Sequence, residues 1–409
     1  METRRIEYLA STEGSQIRPE LLKILRMWTR LERISADDYR LPEAWTAKLL
    51  SPALIVYLDR VRENIRRTIE ITGDVARWRP HIKTTKIPEV YAEMTRAGLR
   101  HFKCATLREA ETLLRVLRAE RVEDADLLFA YPLVGPALER LGTLAHENAG
   151  VSISVLCEDP DGIDRIDARV GIFVDLDSGM HRTGVAPDRV ETIRAIAARA
   201  DARFRGVHFY DGHIHEATAE RRRETAHRGY RRLLEILEEL RTDADVREIV
   251  TSGTPAFRYA LEFEPFRRLE TGVHRVSPGT VVFHDLRSEQ QLEDLDLVPA
   301  AVVFARVVSR PLPELITTDA GSKSIAAEAG DPCAFALGHP GLEALTPSEE
   351  HLPFAVRSGM PPARGDELYL VPRHICPTVN LAEQALLVDG DDIVVSRVRA
   401  RAHDLLLER

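Results

Sequence analysis

Cysteine is scarce in this 409-residue chain: Cys104, Cys157, Cys333 and Cys376 are all there are. None stands in a Cys-x-x-Cys pair, so neither a disulfide framework nor a zinc knuckle is expected and reduced thiols are the default. Met1 to Gly14 opens on charges and lacks an apolar stretch before a small-residue cleavage site, which argues against a secretory signal. No later apolar run reaches membrane-spanning length. Low-complexity tracts and internal repeats are absent too, as is a Gly-x-Gly-x-x-Gly turn of the dinucleotide-binding kind. An excess of positive charge is also missing. A formal net charge of -9 and a pI near 5.9 exclude recognition of nucleic acid or an anionic membrane by the whole-molecule field. These absences leave a cytoplasmic protein with a small-molecule substrate. With 44% hydrophobic and 30% charged residues, the composition is that of a globular chain long enough for one large and one smaller domain.

What is present is a rhythm. Arg18 to Arg33 spaces Leu21, Leu25, Trp28 and Leu31 as a helix would, with Pro19 in its first turn, and reads as part of an N-terminal extension over 1–52 that packs on the second domain. After the apolar run Ala53 to Leu58 and a helical stretch from Asp59 to Thr72, short apolar runs alternate with helical stretches. Eight runs qualify as strands: Val75–Lys83, His101–Ala105, Asp126–Ala130, Ser152–Leu156, Gly171–Asp175, Phe204–Tyr210, Arg247–Thr251 and Val273–Ser277. Eight βα units suit a closed (β/α)8 TIM barrel over 53–290. Beyond Asp285 the helical periodicity fades into runs such as Ala300–Val308, Glu367–Val371 and Asp392–Val398, which predict a C-terminal β-rich domain over 291–409. Segments before Val75 are candidates to join it. The Pro-rich stretch from Gly338 to Pro362 reads as loop.

In such a barrel, catalytic residues sit where strands end. The first run ends in Pro80-His81-Ile82-Lys83-Thr84-Thr85-Lys86, and a lysine there can condense with an aldehyde if its amine is free. On its own, Lys83 reads first as a rim lysine. The sixth run delivers His208, Tyr210, Asp211, Gly212 and His213, a polar cluster that would cost about 1 to 3 kcal/mol per unpartnered group in a core and so suggests a pocket. Ser252-Gly253-Thr254 after the seventh run and Ser277-Pro278-Gly279-Thr280 after the eighth place glycine amides beside hydroxyls where barrels hold phosphate. Arg182, after the fifth run, could neutralise a phenolate or carboxylate. His374 and Cys376, two apart on what reads as extended chain, could share a metal; imidazole plus thiolate suits Zn²⁺ and leaves coordination positions open.

Together these residues resemble the fold-type III pyridoxal-phosphate enzymes, the alanine racemase-like family, and within it the D-threonine aldolase and D-serine dehydratase branch. Pro80 to Lys86 looks like the cofactor-lysine motif, Tyr210-Asp211-Gly212-His213 the central motif, Ser252-Gly253-Thr254-Pro255 the phosphate loop, and His374-Ile375-Cys376-Pro377-Thr378-Val379-Asn380-Leu381 the metal motif. The resemblance implies pyridoxal 5'-phosphate linked to Lys83 with His81 beside it. Arg182 would stand near its phenolic oxygen, His208 and Tyr210 along its ring, and Ser252, Gly253, Thr254 and Gly279 around its phosphate. Ser277 would stand where alanine racemases place an arginine, which speaks against racemisation. A homodimer with a small amino-acid substrate is implied as well. Dehydratases of the branch carry His-x-Cys with zinc and its aldolases His-x-Asp, so Cys376 points to dehydration; Thr85, where many members have histidine, departs from both.

The leading expectation is therefore dehydration of a D-serine-like 3-hydroxy D-amino acid to keto acid and ammonia, with Lys83 removing the α-proton and a divalent metal, expected to be zinc, on His374 and Cys376. The alternative is retro-aldol cleavage to glycine and an aldehyde, with His213 as base. More remote are an amino-acid racemase, a non-catalytic cofactor carrier, and a barrel aldolase whose lysine attacks substrate directly.

Overall fold

The computed structural model describes residues 30–215, 218–241, 244–270, 272–292 and 295–405. Most of the helix expected from Arg18 to Arg33 lies outside the described residues. Two sheets organise the chain. Seven parallel strands, β2 (His101–Cys104), β3 (Asp126–Phe129), β4 (Ser152–Cys157), β5 (Gly171–Leu176), β6 (Phe204–Phe209), β7 (Glu248–Thr251) and β8 (Val273–Val276), pair in sequence order. Trp78 bridges to Val276 and His81 to Lys103, both in parallel sense, so the segment between them joins β8 back to β2. The expected α/β barrel is the observed architecture.

The first strand is not the regular element expected. Val75–Arg77 forms a 3-10 turn, begun by Asp74, whose side chain accepts from the Ala76 amide. Only then does the chain extend, with the Arg79 amide donating to the Val276 carbonyl at 2.9 Å and the Lys103 amide to the Pro80 carbonyl at 2.9 Å. Pro80 has no amide to give, so this strand cannot carry a full ladder.

Alternation along the strands sorts two faces. Leu127 and Phe129 pack outward in the large apolar cluster that joins the helices, while Leu128, Leu156, Phe173 and Val250 fill the barrel interior. Surrounding helices follow ordinary rules: Leu107–Ala119 starts at Thr106, whose side chain accepts from the Glu109 amide, and Leu58–Thr72 stops at Gly73 in the left-handed region at φ 76°.

The second sheet confirms the C-terminal β domain. Its central strand β9 (Ala301–Leu312) pairs antiparallel with β1 (Ala53–Tyr57), β10 (Leu315–Thr318) and β14 (Glu367–Pro372). Strand β1 also runs parallel to β15 (Gln384–Asp389), which pairs with β16 (Asp392–Arg397). Thus the apolar run before Val75 is built into this second sheet. Leu31, Tyr39 and Leu41 pack against the same sheet through Ile55, Phe304 and Tyr369. The Pro-rich stretch is not all loop: β11 (Ala334–Ala336) precedes it, and β12 (Leu342–Ala344) and β13 (Leu352–Val356) lie within it. Pro353 sits between paired residues on β13, opposite Thr317. Among the described residues, no helix is long and apolar enough to cross a membrane.

Candidate active site

One cavity of about 2040 Å³ opens where the barrel's strand ends meet the second sheet. His81, Lys83, Tyr210, Thr254, His374 and Cys376 are among the side chains on its wall, so residues far apart in sequence converge there, while Arg182, His208, His213 and Ser252 are not on that wall. Gly253, Ser277 and Gly279 line it too. Arg182 sits over the Tyr210 ring, its guanidinium carbon 5.1 Å from the centroid.

The two glycine loops come close because their glycines are glycines. A Cβ on Gly279 would lie 2.3 Å from the His81 carbonyl oxygen, and one on Gly253 would lie 2.8 Å from the Tyr210 ring. Thr254 Oγ1 accepts from the Thr280 amide at 3.2 Å, tying the two loops together. Ser277 Oγ is buried with no hydrogen-bond partner among the described residues, a group that calls for a ligand. These features fit a phosphorylated aldehyde: the glycine loops would hold its phosphate and Lys83 would meet its carbonyl.

Ser252 differs. Its φ is 56°, and its hydroxyl is 3.0 Å from Asp211 Oδ2 and 2.9 Å from the Tyr230 hydroxyl, which itself donates to Asp211 at 2.5 Å. Its side chain therefore braces the central motif. Burial pushes the Asp211 carboxyl up despite these bonds. His213 stands close to Gly179, and its Nδ1 is buried without a partner among the described residues.

His208 is held from behind. Its Nδ1 lies 2.7 Å from Asp175 Oδ1, and since a carboxylate only accepts, that nitrogen carries the proton. Its Nε2 then faces Lys103 Nζ at 3.2 Å. Burial, followed by the Lys103 charge, lowers the His208 pKa and keeps the ring neutral. Burial also drives the His81 pKa well down, aided by Lys83 and Lys103.

His374 and Cys376 are not on extended chain. His374 caps the N-terminus of the helix Ile375–Leu381, with Cys376 in its first turn, and the corner rather than a strand brings the two together. Asp285 fixes that corner: its carboxylate accepts from the Ile375 amide at 2.9 Å and the Ser288 amide at 2.8 Å. Burial opposes ionisation of the Cys376 thiol, but the His374 hydrogen bond and charge outweigh it and hold the thiol below its ordinary pKa; the same contact raises His374. An imidazole and an acidified thiol fit a borderline-soft divalent ion.

A second set of metal-type ligands, His101, Asp126 and Glu248, has ligand atoms within 4.8 Å of one another. It lies at the starts of β2, β3 and β7, away from the cavity. Arginines already hold it: Arg79 donates to Asp126 at 2.8 Å and to both Glu248 oxygens at 2.6 and 2.7 Å, while Arg205 takes the other Asp126 oxygen at 2.8 Å. Arg275 reaches Glu248 at 3.0 Å and His101 Nε2 at 2.9 Å. With three guanidiniums on two carboxylates, a cation has no place, and the cluster is a buried ionic plug.

Reading the sequence missed Asp175 and Lys103, and it did not foresee that Thr84 and Thr280 meet Cys376. The two threonines lie within the motifs, and each puts Oγ1 near Cys376 Sγ, at 3.1 and 3.3 Å. Lys103 and Asp175 carry a signal available in the sequence: each is charged and flanked by apolar residues inside a strand, which in a barrel marks the interior face.

A barrel with a lysine at its first strand end, glycine loops on its last two, and a second β domain supplying the far wall defines a fold-type III pyridoxal-phosphate enzyme. The family model described as "Alanine racemase, N-terminal domain" matches residues 56–285, and the chain belongs to that family. A serine dehydratase domain model matches residues 300–388. The chain is 29% identical over 363 residues to a D-threonine aldolase of Arthrobacter sp, covering 85% of this chain and 91% of that protein. It is 25% identical over 377 residues to D-threo-3-hydroxyaspartate dehydratase of Delftia sp. (strain HT23), covering 83% and 95%. The crystal structure of D-threonine aldolase from Filomicrobium marinum shares the fold at a TM-score of 0.76 and 24% identity, over 87% of this chain and 96% of that one.

Proposed function

We propose that this enzyme cleaves the Cα–Cβ bond of a small 3-hydroxy D-amino acid, releasing glycine and an aldehyde. The observation that carries the reading is that Lys83 and the His374–Cys376 pair line one cavity, so an amine-binding end and a hydroxyl-binding end face the same substrate. The balance of the relatives supports cleavage over the dehydration expected first, because the D-threonine aldolase is the more similar of the two proteins.

Pyridoxal 5'-phosphate, when bound, supplies an electron sink for bonds at the substrate's Cα. Lys83 would hold it covalently, Gly253, Thr254 and Gly279 would cradle its phosphate, and Arg182, Tyr210, His81, His208 and Ser277 would surround its ring. His374 and Cys376 would hold a divalent ion, zinc by their donor types, whose chemistry is to polarise a hydroxyl. His213 Nδ1, buried and unpartnered among the described residues, is placed in this reading to accept the 3-hydroxyl proton. Lys83 Nζ would supply the proton that Cα takes up once the C–C bond is broken.

Dehydration is the second reading, favoured by the thiol at position 376. In it Lys83 removes the α-proton and the hydroxyl leaves. Incubation with D-threonine, D-serine and 3-hydroxy-D-aspartate separates the two: glycine plus aldehyde supports cleavage, keto acid plus ammonia supports dehydration, and neither product sinks both. A homodimer belongs to the same proposal, and sedimentation of the purified protein checks it.

A further inference from the structure

Lys103 is a charged residue that the motifs leave without a role. It is 1% exposed, and its neighbours on the strand, Phe102 and Cys104, face outward into apolar packing. Its own side chain enters the barrel, where Nζ lies 3.2 Å from His208 Nε2 and 5.5 Å from the centroid of the Tyr210 ring. Lys83 Nζ lies 6.0 Å from the same centroid, so two amines approach one ring. Behind His208, Asp175 completes a line from carboxylate to imidazole to amine.

We propose that Lys103 is a second proton-carrying amine of the active site, placed to take up the proton that Lys83 must shed before it can bond an aldehyde. The proposal rests on reading Lys83 as the cofactor lysine. In the step, a proton leaves Nζ of Lys83 and arrives at Nζ of Lys103. The pair keeps its single positive charge, and Lys83 keeps the electron pair that forms the bond to carbon. His208 accepts from the resulting ammonium through Nε2, because its only proton is committed to Asp175.

The surroundings of Lys103 suit this exchange. Burial and then the nearby Lys83 charge bring its pKa down to about 7, with Arg79 adding to the depression and Asp175 and Asp211 opposing it. Burial first, then the charges of Lys83 and Lys103 for His81 and of Lys103 for His208, lower the pKa of both histidines. An amine that is half protonated near neutral pH can accept and return a proton. A guanidinium, which stays charged at any working pH, could not.

The chain has six lysines, so a sample labelled with ¹³C at lysine Cε gives a spectrum simple enough to follow each one with pH. The experiment uses cofactor-free full-length protein. Lys103 is assigned through Lys103→Arg or, should that variant not fold, by substituting the other five lysines in turn. The expected midpoint for Lys103 is about 7. It should rise by about one pH unit in Lys83→Ala, where a like charge is removed, and fall by about one in Asp175→Asn, where an opposite charge is removed. A midpoint near the ordinary lysine value of about 10.4 overturns the proposal. So does a midpoint that neither substitution moves. Borohydride trapping of pyridoxal 5'-phosphate on the wild-type protein, followed by peptide mapping, tests the Lys83 reading separately. Trapping at Lys83 together with an ordinary Lys103 would sink this inference and leave the proposed function standing.

Discussion

Thr84 Oγ1 lies 3.1 Å from Cys376 Sγ, joining the loop that follows the barrel lysine to the corner that carries the candidate metal pair. The contact crosses from the barrel to the second β domain. It means that the residue next to Lys83 reports directly on the state of the thiol two hundred and ninety-two positions away in sequence.

Removing that thiol should separate cofactor binding from metal binding. Cys376→Ala leaves His374 as the remaining donor of the pair, too few for a stable divalent site. We expect metal content, measured by elemental analysis after dialysis, to fall to background, and turnover of D-threonine to fall by at least about 100-fold. Borohydride labelling at Lys83 should persist. A variant that keeps its metal would remove Cys376 from the ligand set, and a wild-type enzyme indifferent to chelators would remove the metal from the mechanism.

Gly279 tests the phosphate cradle by geometry alone. A methyl group there would meet the His81 carbonyl oxygen at 2.3 Å and Thr84 Oγ1 at 3.1 Å, so Gly279→Ala must push the Lys83 loop and the loop after β8 apart. Overpacking of this kind costs about 1 to 3 kcal/mol. Cofactor retention, read as absorbance surviving gel filtration, should drop by about tenfold or more, with the fold intact by circular dichroism. Unchanged retention would show that this loop does not hold the phosphate.

Arg79 is wholly buried and bridges Asp126 to Glu248 beneath the barrel. Replacing it by methionine keeps much of its volume and leaves Asp126 to Arg205 and Glu248 to Arg275, with one buried oxygen of each carboxylate stripped of its partner. A buried acceptor left unsatisfied costs about 1 to 3 kcal/mol, and a denaturant titration should show a loss of at least that size. Because the ionic plug sits at the strand starts, the remaining folded protein should still bind cofactor. A loss below about 1 kcal/mol would mean that Arg205 and Arg275 suffice to hold the two carboxylates.

Much of this architecture was legible because βα periodicity survives in the sequence. Seven of the eight expected strands appear within about a residue of their expected limits, since Val, Ile, Leu and Phe runs bounded by helical stretches leave little freedom. Val75–Lys83 misled because Val75 and Ala76 are apolar, yet Asp74 folds them into a turn and Pro80 lacks a ladder amide. The strand Leu352–Val356 was hidden by its proline, which the antiparallel pairing with β10 accommodates. His374 and Cys376 were found by residue type, but the helix corner that brings them together depends on Asp285, almost ninety residues earlier. Lys103 could be read as buried from the sequence, since a parallel strand is covered on both faces, but its place beside His208 appears only when the barrel closes.

His274 offers a pH prediction with a definite sign. Its ring is buried, stacked 4.2 Å from Phe266, with Nε2 2.8 Å from Thr251 Oγ1. Burial, helped by the Arg77 charge, brings its pKa from 6.5 down to about 3. The unfolded chain therefore binds this proton more readily than the folded one. Its contribution to stability is complete above the ordinary histidine value and is lost progressively as pH falls from about 6.5 toward about 3. At pH 5 the loss from this one group is about 2 kcal/mol, at about 1.4 kcal/mol for each pH unit. Other buried histidines add to the slope, so the informative measurement is a difference. His274→Gln keeps a polar partner for Thr251 without a titrating ring, and the variant's denaturation midpoint should fall less steeply between pH 6.5 and 5 than that of the wild type. Parallel slopes would show that the ring reaches solvent, and the packing of Phe266 against it would no longer account for its neutrality.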